Sequence, residues 1–75
     1  MAHIMIRNLE LDGVTAKLVS ARTAAFDEEG SIAVYLTDGS EYEGSWIDGA
    51  YRPDGYSDLS DESIRIITAA IAAKL

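Results

Sequence analysis

The chain has 75 residues, 48% of them hydrophobic, and a formal net charge of −7 at neutral pH. This length predicts one small domain of modest stability, since such a chain buries only about 60% of its unfolded surface. The composition is too apolar for a disordered acidic tail. The most apolar run, residues 66–73, is far shorter than the roughly 20 residues of a membrane span, and with no cysteine there are no disulfides.

The N-terminus, Met1-Ala2-His3-Ile4-Met5, lacks the basic region, apolar core and cleavage site of a secretory signal. Together with the missing cysteines this sets the cytoplasm as the expected location. Met5 offers an alternative natural start, with residues 1–4 an added remnant, so no role is placed on His3.

Three glycine-containing turns organise the first two-thirds. Asp12-Gly13 is a two-residue hairpin signal that pairs Leu11 with Val14 and Leu9 with Ala16. At Glu28-Glu29-Gly30 a three-residue loop is expected to pair Asp27 with Ser31, Phe26 with Ile32 and Ala24 with Val34. At Asp38-Gly39 the pattern decides between registers. A two-residue turn would set Val34 opposite Glu43. A three-residue loop with Gly39 left-handed sets Val34 opposite Tyr42 and Ile32 opposite Gly44, and gathers Ile32, Val34, Leu36, Tyr42 and Trp46 on one face. The expected strands are 3–11, 14–26, 31–37 and 40–47. The length of the second predicts a bend near Ser20 to Arg22, and Ile4 and Ile6 leave the first strand apolar on both sides.

Residues 48–58 read as a loop, because Gly49, Pro53 and Gly55 interrupt regular structure. A helix is expected over 60–75. Ser60 is its N-cap, with Asp61 and Glu62 in the first turn, where the helix dipole favours negative charge. Leu59 and Ile64 suit a hydrophobic staple. Ile64, Ile67, Ile71 and Leu75 form one apolar stripe to cover the inner face of the sheet. The expected fold is α+β: a four-stranded antiparallel meander with one C-terminal helix on one face.

The acids are unevenly placed. Residues 27–62 hold eleven of the thirteen carboxylates against a single base, Arg52. Such a one-signed region attracts basic surfaces and repels nucleic acid, whose binding requires phosphate neutralisation by Lys and Arg. Catalysis lacks its parts. His3 is the only histidine, and Gly55-Tyr56-Ser57-Asp58-Leu59 lacks the final glycine of a nucleophile elbow. Calcium coordination fails as well: with Gly55 at position 6 of an EF-hand loop, Ala50 and Arg52 fall where ligands are required. No phosphate-binding loop is present. A non-enzymatic protein without metal or cofactor is the expectation.

Several acids have folding roles: Glu28, Glu29 and Asp38 serve turns, and Asp61 and Glu62 serve the helix start. Glu41, Glu43, Asp48, Asp54 and Asp58 have none evident. Glu41 and Glu43 project from the outer face of the sheet, about 7 Å apart by strand rise. Thr23, Ala25, Ala33, Tyr35, Thr37 and Ser45 are expected beside them. Tyr35, Tyr51 and Tyr56 are the candidate anchors, since tyrosine buries much area at little entropic cost.

In size, acidity and lack of catalytic groups the chain resembles small phage and mobile-element inhibitors, among them anti-CRISPR proteins and DNA mimics. That likeness is one of character, covers no motif and assigns no residue. The leading expectation is an acidic inhibitor or adaptor that occupies a basic nucleic-acid-binding surface of a partner protein. The alternative is a self-associating accessory module whose contact is the smooth helix face of Ile66, Ala69, Ala70 and Ala73.

Overall fold

The computed structural model describes residues 2–23, 30–55 and 57–75. It is an antiparallel meander in the order β1 (Ala2–Leu11), β2 (Val14–Thr23), β3 (Gly30–Leu36), β4 (Glu41–Ile47) and β5 (Ala50–Pro53), followed by one helix, α1 (Asp61–Ala72). The α+β class is as expected, but the sheet has five strands rather than four. The extra strand arises within the stretch expected to be loop. Ile47 pairs with Ala50, leaving a two-residue turn of Asp48 and Gly49 with φ of 53° and 77°. Positive φ at both central residues is the type I′ hairpin geometry, for which Asp-Gly is a preferred pair. Pro53 ends β5 at the sheet edge, where its missing N–H costs no ladder bond.

The other two described hairpins match expectation in part. Leu11 pairs with Val14 and Leu9 with Ala16. Val34 pairs with Tyr42 and Ile32 with Gly44. Gly39 is left-handed at φ 93°, and the Leu36 N–H donates to the Ser40 carbonyl at 2.8 Å. Asp38 Oδ1 accepts from the Ser40 N–H at 2.8 Å, and this bond holds its carboxyl below the usual carboxylate range.

The β2–β3 register differs. Ile32 pairs with Ala21, not Phe26, and Val34 with Val19, not Ala24. Apolar residues occupy both candidate positions, so the pattern could not choose between them. Ala24, Phe26, Asp27, Glu28 and Glu29 lie outside the described residues, while Gly30 begins β3 opposite Thr23.

The irregularity in β2 also falls elsewhere than expected, between Ala16 and Leu18 rather than near Ser20. Asn8 lies close by on β1 with φ 55°, a left-handed conformation that asparagine tolerates better than most residues. Before Asn8 the core-facing residues of β1 are Ile4 and Ile6. After it they are Leu9 and Leu11. A change of parity at Asn8 thus explains why the strand looked apolar on both sides.

The core lies between the inner sheet face and α1. It contains Val19, Val34, Trp46, Tyr51, Ile67 and Ile71, all 2% exposed or less. Each large apolar side chain so buried contributes roughly 1.5–3 kcal/mol. Ser60 caps α1 as expected, its hydroxyl accepting from the Ser63 N–H at 3.1 Å. Leu59, Ile64, Ile66 and Leu75 pack around the core as partly buried side chains. The Thr68 hydroxyl donates to the Ile64 carbonyl at 2.9 Å and accepts from the Tyr51 backbone N–H at 3.1 Å. The helix therefore covers part of the β5 edge. No helix among the described residues is long and apolar enough to cross a membrane.

Candidate functional site

The outer sheet face is left without a covering layer, because the single helix occupies the inner one. Strand pairing arranges its side chains in three cross-strand rows. The first runs Arg7, Leu18, Tyr35 and Glu41. The second runs Met5, Ser20, Ala33 and Glu43, with Asp54 next to it, since the Asp54 N–H donates to the Glu43 carbonyl at 2.9 Å. The third runs His3, Arg22, Ser31, Ser45 and Arg52.

Small residues occupy the middle of the second and third rows. They leave a shallow open depression of about 450 Å³, with Ser20, Ser31, Ala33 and Ser45 at its floor and Arg22, Tyr35, Glu43 and Asp54 at its rim. His3 Nε2 lies 2.9 Å from Ser20 Oγ. Charge on this face changes sign twice across the strands. Arg7 and Arg22 stand on the β1–β2 side, Glu41 and Glu43 on β4, Arg52 on β5, and β3 presents no charge. All five charged side chains are exposed. Among the described residues the ion pair formed is Glu62 with Arg65 on α1, at 3.0 Å, and none joins the acids and bases of the sheet. β2 and β4 lie about 10 Å apart, with the small side chains of Ser31 and Ala33 on β3 between Arg22 and Glu43.

The expected partner-binding residues divide into distinct groups. Tyr35, Glu41, Glu43 and Asp54 share the outer face. Asp48 is exposed but forms the β4–β5 turn, so it has the folding role the sequence did not reveal. Asp58 is exposed and lines a separate, smaller hollow of about 240 Å³ together with Asp12 and Asp38. No group of three or more His, Asp or Glu among the described residues could hold a metal ion. Tyr56 lies outside the described residues.

Tyr51 requires correction. It is 2% exposed and belongs to the core rather than to an interface. It pairs with Trp46 across β4 and β5 and its ring lies over Gly44. A Cβ at Gly44 would stand 2.6 Å from Tyr51 Cε1, so the absent side chain is what admits the ring. Neither the Tyr51 hydroxyl nor Trp46 Nε1 has a hydrogen-bond partner among the described residues.

The helix face is also altered. Ile66 is half-buried and packs on the core, while Ala70 is half-buried and Ala69 and Ala73 are exposed. What remains outward is alanine, without the larger apolar anchor. On the sheet, sequence reasoning missed Arg7, Arg22 and His3. The register assumed for β2 had placed Thr23 and Ala25 on the outer face, whereas its ladder sets Ser20 and Arg22 there.

Comparison with protein-family models, curated proteins and solved structures returns no match. Function is therefore argued from the chemistry of this face.

Proposed function

We propose that the protein is a non-enzymatic inhibitor or adaptor that occupies a basic, nucleic-acid-binding surface of a partner protein. The contact is the β4–β5 half of the outer sheet face. Glu41, Glu43 and Asp54 meet Lys or Arg side chains of the partner, and half-buried Tyr35 supplies apolar area beside them. The observation that carries this reading is the set of three exposed carboxylates beside an uncovered depression, none paired with a cation among the described residues. Arg22 on β2 and Arg52 on β5 bound the acidic surface on either side, so the partner's basic patch is compact rather than an extended groove. Activity of this type requires no cofactor, and the cytoplasm is its expected location.

The test is capture of partners from a lysate on the immobilised protein, with elution by a salt gradient. Binding that weakens sharply between about 0.1 and 0.5 M salt is expected, because exposed charges are increasingly screened over this range. The Glu41→Lys, Glu43→Lys double variant should lose the captured protein. Capture indifferent to salt, or retained by that variant, contradicts the proposal.

A further inference from the structure

We propose that the depression on the outer sheet face binds a short peptide with both ends free, its C-terminal carboxylate on Arg22 and its N-terminal amine on Glu43 and Asp54. Nothing in this depends on the partner proposed above. The observation is the placement of charge around one cavity of about 450 Å³. Arg22 stands at one corner of its rim, and Glu43 and Asp54 stand together at the corner diagonally opposite. All three side chains are exposed, and no ion pair joins them among the described residues. Strand spacing and rise set the Arg22 and Glu43 Cα atoms about 12 Å apart, and the small side chains between them leave that space open.

An occupant of the depression with a single sign meets a like charge on one side. An anion on Arg22 faces Glu43 and Asp54, and a cation lodged against those carboxylates faces Arg22. Arg52, opposite Ser45 on β5, borders the acidic corner without lining the depression. These two bases and two acids sum to zero, so a neutral zwitterion is the ligand whose charges they match. A peptide with free ends is such a zwitterion at neutral pH, because its amine titrates near about 8 and its carboxyl near about 3.5.

Length selects among zwitterions. A free amino acid carries both charges on one carbon and cannot reach both corners. An extended dipeptide separates its ends by about 7 Å, and the Arg22 and Glu43 side chains lean in to close the remainder. Its single amide then lies over the floor, where the hydroxyls of Ser31 and Ser45 can donate to the carbonyl and accept from the N–H. Ser20, whose Oγ lies 2.9 Å from His3 Nε2, completes that floor. Tyr35 at the rim offers apolar area to a peptide side chain. The depression is shallow and open, and roughly ten ligand atoms contact it, so affinity is weak, with Kd on the order of 1 mM.

Titration with glycylglycine, followed by amide chemical shifts at about 0.05 M salt, tests this directly. Saturable shifts are expected at Ser31, Ala33 and Ser45, with Ala69 and Ala73 on the helix unmoved. Glycine, N-acetylglycylglycine and glycylglycinamide lack the span, the amine charge and the carboxylate charge in turn, and each should bind about tenfold more weakly. Arg22→Gln and Glu43→Gln should each weaken glycylglycine binding about fivefold, their unchanged helix shifts establishing that they remain folded. Asp48→Asn, outside the depression, should leave binding within about twofold. Shifts that do not saturate, capped dipeptides that bind as well as glycylglycine, or an Asp48→Asn loss equal to that of Glu43→Gln would overturn the proposal. Arg22→Gln should not reduce the lysate capture described above, so this site and the proposed partner contact stand or fall separately.

Discussion

The Thr68 hydroxyl accepts a hydrogen bond from the backbone N–H of Tyr51 at 3.1 Å, joining the middle of α1 to the edge strand β5. This N–H faces away from the sheet, and without Thr68 it would lose its acceptor in a partly buried position. Thr68→Val keeps the shape and removes the oxygen. It should cost about 1–3 kcal/mol, the usual penalty for an orphaned buried donor. The melting temperature of a domain this small would then fall by roughly 4–8 °C per kcal/mol. Thr68→Ser retains the acceptor and should lie close to the parent in the same thermal melts.

Gly44 is where a single methyl group should do most damage. Its Cβ would meet the Tyr51 ring and the backbone at Arg52 and Pro53, with Pro53 Cα at 3.0 Å. Backbone atoms cannot turn aside as a flexible side chain can. Gly44→Ala is expected to destabilise by about 1–3 kcal/mol, the cost of overpacking a filled core. Urea unfolding measures this, and the near-UV dichroism of Trp46 and Tyr51 should change with it. An unchanged midpoint would mean that β5 can shift away from β4.

Tyr51 links stability to alkaline pH. Burial, then the Asp54 carboxylate and Tyr42, push its hydroxyl from 10.0 up to about 12. An unfolded chain releases this proton near pH 10, whereas the folded chain holds it to about 12. In that window the unfolded state binds fewer protons, so stability falls as pH rises from about 10 to 12 and is complete below. Tyr51→Phe should abolish this component, seen as a smaller difference between urea midpoints at about pH 9 and 11.5. Near neutral pH it should change stability by no more than about 1 kcal/mol, since the hydroxyl has no partner among the described residues to lose.

Asp48 and Asp54 form a matched pair for the proposed partner contact. Each loses one negative charge on replacement by asparagine, but Asp54 borders the depression and Asp48 lies in a turn. Asparagine suits the type I′ turn as aspartate does. Asp54→Asn should therefore weaken partner capture several-fold, whereas Asp48→Asn should leave it within about twofold. Equal effects would point to net charge rather than to this face.

Local features were legible where the chain itself contains the reason. Ser60 followed by Asp61 and Glu62 specifies a helix start. Gly39 can take the left-handed turn that places Val34 opposite Tyr42. Asp48-Gly49 carried the same hairpin signal as Asp12-Gly13, but Pro53 two residues beyond β5's Tyr51 made the segment resemble a loop. A proline at an edge is compatible with a strand, and the strand's marginal length is offset by Thr68 and by burial of Tyr51 under α1. Neither contact is local in sequence.

The sequence by itself determined the class of fold, the positions of two hairpins and the helix, and the acidic balance, because each depends on periodicity, turn geometry or composition within a few residues. The tertiary structure decided the β2–β3 register, and through it which residues face outward with Tyr35. Apolar residues satisfied both pairings, so the choice required packing across the whole sheet and the parity change at Asn8. That choice put Arg22 on the same surface as Glu43. A face expected to carry Glu41 and Glu43 among neutral residues instead carries exposed bases on both sides of them, Arg22 on β2 and Arg52 on β5, and this arrangement came from register, which charge counting along the chain does not contain.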